Sequence, residues 1–151
     1  MTFLYILLAL AVLLVLITVH ELGHYIAGKI FGFQINEFAI GFGPAIYKHT
    51  NKKTGEVFSI RALPLGGYCA FEGEDEENPN PKAFNNMAPW KRLIVLVSGV
   101  LFNFIFGIIT AAIFLMVNGY GVPKITDFSP NNYNDGLLKK GDVILAVTEK
   151  R

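Results

Sequence analysis

Two long runs of apolar residues dominate the hydrophobic pattern of the chain. The first run covers residues 3–19 and contains a single polar member, Thr18. A helix of this length reaches about 25 Å, close to the thickness of the hydrocarbon core of a bilayer. The second run covers residues 93–117 and carries no charged side chain. The pattern predicts two transmembrane helices, the first of which continues beyond its apolar run and stops at Gly32.

The segment between the two runs has the alternation and the aromatic and β-branched residues of short strands. Strands are predicted near residues 35–40, 45–48, 57–62 and 68–71, with the tip of a hairpin at 52–55. Its high apolar content leaves two interpretations open. The strands dip into the membrane beside the helices, where an exposed edge can pair with an extended substrate, or they form a small self-contained sheet.

The remaining segments are more polar. Residues 72–81 are acidic and broken by proline, which is typical of a solvated linker, with a binding element as the alternative. An interfacial tryptophan and two positive anchors, at 90–92, mark the start of the second span. The tail returns to soluble composition, with candidate strands at 125–128 and 141–147, and is too short for an independent core. The predicted divisions are 1–31, 32–89, 90–118 and 119–151.

Composition narrows the class of protein. Of the 151 residues, 52% are hydrophobic and 17% are charged, whereas soluble chains carry about 25% charged residues. This composition argues against disorder, and a net charge of +1 gives no basic footprint for nucleic acid. A single cysteine excludes an internal disulfide and a cysteine-based zinc finger. The length excludes a complete large multi-part enzyme.

Basic residues predict the orientation in the membrane. Eight Lys or Arg side chains lie between the two apolar runs, and none precedes the first. Because basic residues favour the cytoplasmic side, the loop 32–89 is expected in the cytoplasm and both termini outside it. The alternative for the first run is a cleaved signal peptide, but there is no basic residue before it and no small-residue cleavage site after it.

The end of the first helix carries the motif with catalytic chemistry. His20-Glu21-Leu22-Gly23-His24 is an H-E-x-x-H pattern, and positions i and i+4 of a helix lie one turn apart on the same face. Two imidazoles so placed can bind one metal ion, preferably zinc, which favours nitrogen ligands. Glu21 points partly to the same side and can accept a proton from water that the metal activates.

Simpler interpretations stand beside this one. The two histidines of the motif can lie at the membrane interface with a solvated Glu21 and no metal. Gly23 either allows close approach of another backbone or is incidental. Asn103, a lone amide in the second span, either bonds a neighbouring helix or contacts a substrate or the active site.

Motifs along nearly the whole chain resemble one family. The chain resembles the N-terminal part of a bacterial site-2-type intramembrane zinc metalloprotease, of the kind with a PDZ domain between its membrane segments. The resembling stretches are His-Glu-Leu-Gly-His at 20–24, Ile-Gly-Phe-Gly-Pro at 40–44, Pro-Leu-Gly-Gly-Tyr at 64–68, Trp-Lys-Arg at 90–92, Ser-Gly-Val-Leu-Phe-Asn-Phe at 98–104 and the PDZ-like start at 135–144. The zinc motif recurs in many metalloproteases, but in this combination it is specific.

The resemblance implies a fold and a site. The fold is membrane α-helical with β-hairpin insertions: two transmembrane helices flank a membrane-associated β-rich cytoplasmic loop, followed by the start of a PDZ-like domain. Zn²⁺ is implied on His20 and His24, with Glu21 as general base. Substrate-binding residues are implied at Gly41, Gly43 and Asn103.

The resemblance also implies partners and a place in the cell. The substrate is a single-span regulatory membrane protein, cut within its membrane segment. The location is a bacterial inner membrane, with several membrane passes and lipid as the surroundings. No nucleic-acid partner is expected.

Two departures from the family pattern bear on activity. Val100 stands where the family usually has proline, and the Leu-Asp-Gly stretch that supplies a third zinc ligand is absent from these residues. His49, in the hairpin turn, is a poor candidate for that ligand. We therefore expect a missing second half. The alternatives are a catalytically incomplete membrane protein that binds helices or a partner without cleavage and, more remotely, a metal transporter.

Overall fold

The computed structural model describes residues 2–119, 121, 124–127 and 138–143. Along the chain lie helix α1 (Thr2–Phe31), strand β1 (Ile35–Thr50), strand β2 (Val57–Phe71), a short 3₁₀ helix (Phe84–Asn86) and helix α2 (Pro89–Asn118). The chain divides into two compact units, residues 1–109 and 110–151. The first unit contains α1, the hairpin and the part of α2 that contributes to the candidate site.

Both predicted helices are confirmed, and the apolar side chains along them point outward. α1 and α2 are long and apolar enough to cross a membrane. Phe3 is 74% exposed and Leu93 is 62% exposed, whereas a core helix of a soluble protein would bury such side chains. The exposed apolar surface is what a lipid-facing helix requires.

The end of α1 is set by Gly32, as the sequence predicts. Gly32 has a φ of +78°, which favours glycine. Its N–H donates to the carbonyl of Lys29 at 3.2 Å, and the N–H of Phe33 donates to the carbonyl of Gly28 at 2.9 Å. These two bonds form a Schellman motif, which satisfies carbonyls that the helix end would leave unpaired. The chain turns there toward the sheet.

The sheet contains two long strands where four short ones are predicted from the sequence. β1 and β2 pair mainly antiparallel. Residues 37–40 of β1 have partners on both sides, at 67–70 of β2 in antiparallel order and at 57–60 in parallel order. The strands bend at Gly41 and Gly43 and again at Gly66, all with positive φ. The sequence suggests breaks at these positions, but glycine lets each strand bend while pairing continues. The hairpin tip at 52–55 is confirmed, since the N–H of Gly55 donates to the carbonyl of Asn51.

A small aromatic core joins α1, the sheet and the segment before α2. The rings of Phe33, Phe71 and Phe84 lie within 5.5–5.7 Å of one another, centre to centre. Ala27, Ile35 and Val95 complete the buried cluster. This core fixes the end of the hairpin, including the last residues of β2, beside the second half of α1.

The acidic segment is more ordered than a solvated linker. Glu72 accepts hydrogen bonds from the side-chain amides of Asn78 at 2.9 Å and Asn80 at 2.8 Å. The carboxylates of residues 74–77 are exposed, as predicted. The interpretation as a wholly solvated linker was therefore wrong for Glu72, because its carboxylate serves as an acceptor that closes the turn.

The second unit is described in part. Lys124 and Val143 form an isolated bridge, and the N–H of Ile125 donates to the carbonyl of Asp142 at 2.9 Å. The predicted strands at 125–128 and 141–147, and the PDZ-like stretch at 135–144, extend outside the described residues. The start of a PDZ-like domain stays a prediction.

Candidate metal and catalytic site

The two histidines of the H-E-x-x-H motif face each other across one turn of α1. The Nε2 atoms of His20 and His24 lie 3.2 Å apart, and the rings are nearly perpendicular at 83°. Two nitrogen ligands of a tetrahedral zinc ion, each at about 2.05 Å, are separated by about 3.3 Å. The separation of the two nitrogens therefore matches that of two ligands of one metal ion.

A backbone carbonyl of α2 determines the tautomer of His24, that is, which ring nitrogen carries the proton. The Nδ1 atom of His24 lies 2.7 Å from the carbonyl oxygen of Val95. Because a carbonyl only accepts, Nδ1 carries the proton and Nε2 keeps its lone pair in the neutral ring. Ser98 Oγ donates to the same oxygen at 2.5 Å. An imidazole held this way is the usual arrangement of a metal-binding histidine.

The carboxylate of Glu21 is held by the sheet. It accepts a hydrogen bond from the backbone N–H of Cys69, in the last part of β2. This contact joins the motif helix to the hairpin at the residue with the candidate catalytic role. Val95 and Cys69 act here through backbone groups, which any residue type supplies, so the sequence held no signal for either.

Two glycines let α1 and α2 meet at the motif. A β-carbon on Gly23 would lie 2.5 Å from the carbonyl oxygen of Ser98. A β-carbon on Gly99 would lie 2.5 Å from Nε2 of His24 and 2.8 Å from Cε1 of His20. Of the two interpretations of Gly23, close backbone approach is confirmed. Gly99 was missed in this role, although a glycine within an apolar span is a signal for close packing.

A third ligand does not join the pair in the part of the chain that the structure describes. Within those residues no group of three His, Cys, Asp or Glu side chains could hold a metal ion. His49 lies in the hairpin, where it lines a cavity of about 300 Å³ together with Tyr25 and Glu56. The histidine pair thus supplies two ligands of a site that needs at least three from the protein.

The three predicted substrate-binding residues lie in two places. Gly41 and Gly43 form the bend of β1, where a β-carbon on Gly41 would lie 2.5 Å from the carbonyl oxygen of Leu63. Asn103 lies in α2 one turn beyond Gly99, so the two share a face of the helix. The Oδ1 atom of Asn103 is buried and has no hydrogen-bond partner among the described residues.

A charged cluster stiffens the bend of β1. Glu37 accepts from Ser59 Oγ at 2.6 Å, from Arg61 at 2.8 Å and from the hydroxyl of Tyr68 at 2.8 Å. Arg61 also donates to the carbonyl of Gly43 at 2.8 Å. Burial alone would raise the pKa of Glu37, but these hydrogen bonds outweigh it and hold the pKa below its usual range.

A second ion pair fixes the tip of the hairpin to α1. Lys29 Nζ lies 2.5 Å from Glu56, whose carboxylate also bonds Tyr25. Burial would raise the pKa of Glu56, but the bonds from Lys29 and Tyr25 lower it below its usual range. The hairpin therefore contacts α1 at two points, through this ion pair at its tip and through Cys69 in the last part of β2.

Comparison with known proteins places these features together in one family. The pattern of Peptidase family M50 matches residues 8–146. A relative from Clostridium acetobutylicum, named "Putative zinc metalloprotease", is 35% identical over 97% of this chain and 43% of its own length. A Synechocystis relative of the same description is 40% identical over 92% of this chain and 40% of its own length.

A plant relative extends the similarity. The membrane metalloprotease ARASP of Arabidopsis thaliana, a chloroplastic protein, is 38% identical over 92% of this chain and 33% of its own length. The chain thus spans less than half of the length of each of these relatives.

Proposed function

The chain belongs to Peptidase family M50, as its motifs predict, and we propose that it carries the catalytic motif of a zinc metalloprotease that cuts peptide bonds within membrane segments. One observation carries the proposal: two imidazole Nε2 atoms 3.2 Å apart on a helix whose surface is apolar and exposed. Relatives named as zinc metalloproteases support the metal and the reaction, and a relative named as a membrane metalloprotease supports the setting.

We assign the metal to His20 and His24. Zinc, when bound, supplies Lewis-acid polarisation of the scissile carbonyl and makes water acidic enough to be deprotonated near neutral pH. The carbonyl of Val95 keeps the proton of His24 on Nδ1 and leaves Nε2 free to bind. A catalytic zinc site takes at least one further protein ligand beside these two.

Glu21 is the proposed general base. Its carboxylate accepts the proton of the attacking water and returns it to the leaving amine. The backbone N–H of Cys69 interacts with this carboxylate, which supports a defined position for it beside the two imidazoles. A water-poor environment is supplied by the apolar helices, which strengthens these charge interactions.

We propose that α1 and α2 span the membrane, with the loop 32–89 in the cytoplasm and both termini outside it. The proposed substrate is a single-span membrane protein. The proposed location of the chain is the bacterial inner membrane. The buried Oδ1 of Asn103, which has no hydrogen-bond partner within the described residues, supports contact with a substrate N–H. Gly41 and Gly43 present the bent strand along which an extended substrate can pair.

The test is cleavage of a single-span substrate by the product of the full reading frame, with Glu21 intact and with Glu21→Gln. Loss of a general base lowers the rate about 10²- to 10⁴-fold. Glu76→Gln, an exposed carboxylate in the acidic segment, is the matched control and should cleave as the parent does. Equal cleavage by the Glu21→Gln variant and the parent would remove the catalytic assignment.

A second candidate follows from the incomplete ligand set among the described residues. In this version the chain binds membrane helices or a partner without cutting them. Zinc analysis of the purified protein separates the two: stoichiometric, tightly held zinc together with cleavage excludes the non-catalytic version. Absence of both, in a folded protein that still captures a single-span helix, supports it.

A further inference from the structure

A polar cavity of about 680 Å³ lies where the acidic segment meets the first turn of α2. It belongs entirely to the first unit and is separate from the histidine pair. The lining residues are Glu77, Asn78, Pro79, Asn85, Asn86 and Arg92. Its volume is within the range of small-molecule sites in proteins, about 300–1,000 Å³.

Arg92 is the one cation in the lining, and one of its N–H donors is unpaired within the described residues. Its Nε atom is buried and has no hydrogen-bond partner in the described part of the chain. An atom that solvent cannot reach is closed to a ligand as well, so contact with a ligand falls to the other N–H donors of the guanidinium, which match the oxygens of a phosphate in pairs. The part of the cavity lined by Arg92 therefore suits an anionic group.

The rest of the lining is held in place and carries one negative charge. The amide of Asn86 donates to the carbonyls of Asn78 at 2.6 Å and Asn80 at 2.9 Å, which fixes the wall formed by the acidic segment. Glu77 is exposed at the rim. A ligand with a phosphate and a neighbouring cationic donor would match both charges of the cavity.

The cavity also lies at the level where such a ligand is abundant. Trp90 is 55% exposed, and Nζ of Lys91 lies 5.7 Å from the centre of its ring. Tryptophan and lysine at the end of an apolar helix mark the headgroup region of a bilayer. Arg92 follows directly, so its guanidinium lies at the depth of the lipid phosphates if α2 spans the membrane.

We propose that this cavity binds the headgroup of a zwitterionic phospholipid with a primary ammonium group, the phosphate on Arg92 and the ammonium on Glu77. The proposal rests on α2 as a membrane span and not on proteolysis. Free inorganic phosphate shares the anion chemistry, but it has no group for Glu77 and no acyl chain for the apolar face of α2.

The experiment measures lipid retained by the purified full chain in detergent, by native mass spectrometry. The probes are phosphatidylethanolamine, phosphatidylcholine and inorganic phosphate. The variants are Arg92→Gln and Glu77→Gln, and the matched control is Lys91→Gln, one residue away and outside the lining. Circular dichroism checks the helix content of each variant.

We expect Arg92→Gln to lower retention of both phospholipids about tenfold, since a charge-assisted phosphate contact is lost. Glu77→Gln should abolish the preference for phosphatidylethanolamine over phosphatidylcholine, because a quaternary ammonium has no N–H to donate. Lys91→Gln should bind within about twofold of the parent. If Arg92→Gln does not fold, Arg92→Lys keeps the charge but not the fork and should show a several-fold loss.

Two results would overturn the proposal. Equal losses in Arg92→Gln and Lys91→Gln would mean that general charge attraction, and not this cavity, retains lipid. Displacement of bound phosphatidylethanolamine by an equal concentration of inorganic phosphate in the parent protein would identify a soluble anion as the occupant.

Discussion

Gly99 of α2 lies so close to His24 of α1 that a β-carbon at position 99 would stand 2.5 Å from its Nε2 atom. The ring cannot move away freely, because its Nδ1 is bonded to the carbonyl of Val95 at 2.7 Å. The same β-carbon would lie 2.8 Å from Cε1 of His20. The geometry of the histidine pair thus depends on a residue with no side chain.

Gly99→Ala is therefore expected to impair the site while leaving both helices formed. Either the imidazoles shift off the metal or the helices separate, and we expect metal affinity and cleavage to fall about 10- to 100-fold. Metal content and substrate cleavage of the full-reading-frame product provide the measurement. Gly107→Ala is the control, since its added β-carbon would meet no atom of the described residues within 4 Å apart from its chain neighbours and its own helix backbone. Parent-like zinc content in Gly99→Ala would contradict the packing argument.

The sequence predicts those parts of the site that one helix contains. His20 and His24 are brought together by helical periodicity alone, so their spacing in sequence determined their spacing in space. The two helices follow from long apolar runs for the same reason, because length and composition are local properties. Gly32 ends α1 as predicted, since its positive φ is a requirement of the helix end itself.

The groups that orient the motif come from other elements and were missed. The carbonyl of Val95 and the N–H of Cys69 are backbone groups, whose presence does not depend on residue type. The bends at Gly41 and Gly66 look like strand ends in sequence, because glycine is typical of both a break and a bend. Which of the two occurs depends on cross-strand pairing, which is a property of the folded sheet.

The ion pair between Lys29 and Glu56 predicts a measurable coupling. Glu56 is 8% exposed, so Lys29→Met leaves a largely buried carboxylate without its cation. We expect the free energy of unfolding to fall by about 1–2 kcal/mol, less than for a fully buried pair because the Lys29 side chain is 41% exposed.

The double variant Lys29→Met/Glu56→Gln completes the cycle. It should recover part of the loss, since no unpaired charge is left, and denaturant unfolding in detergent gives the coupling energy. A loss in the double variant equal to the sum of the losses in Lys29→Met and Glu56→Gln would show that the pair contributes no interaction of its own.

Glu37 predicts loss of stability in acid. Its pKa in the folded chain is below the ordinary value of 4.5, so the unfolded chain takes up protons first as the pH falls. The stabilisation is fully present above pH 4.5 and is lost as the pH drops through the folded pKa. The midpoint of thermal unfolding should therefore fall more steeply in acid for the parent than for Glu37→Gln.

At neutral pH the parent should be the more stable of the two, because Glu37→Gln weakens three hydrogen bonds. Glu76→Gln, which changes an exposed carboxylate, serves as the control and should follow the parent curve. Parallel curves for the parent and Glu37→Gln across the acid range would mean that the cluster contributes nothing pH-dependent.

We predict that the thiol of Cys69 reacts slowly in the folded chain. Burial, and then the nearby carboxylate of Glu21, raise the pKa of its thiol from 9.0 to about 12. At pH 8 the thiolate fraction is then about 1,000-fold below that of an ordinary cysteine, and the thiolate is the reactive form.

Because the chain has one cysteine, maleimide labelling reports this site alone. We expect labelling to be at least about 100-fold slower in the folded chain than in the unfolded one. Glu21→Gln removes one cause of the shift and should speed labelling, whereas Glu76→Gln should not. Equal labelling rates in the folded and unfolded chains would contradict the raised pKa of the thiol.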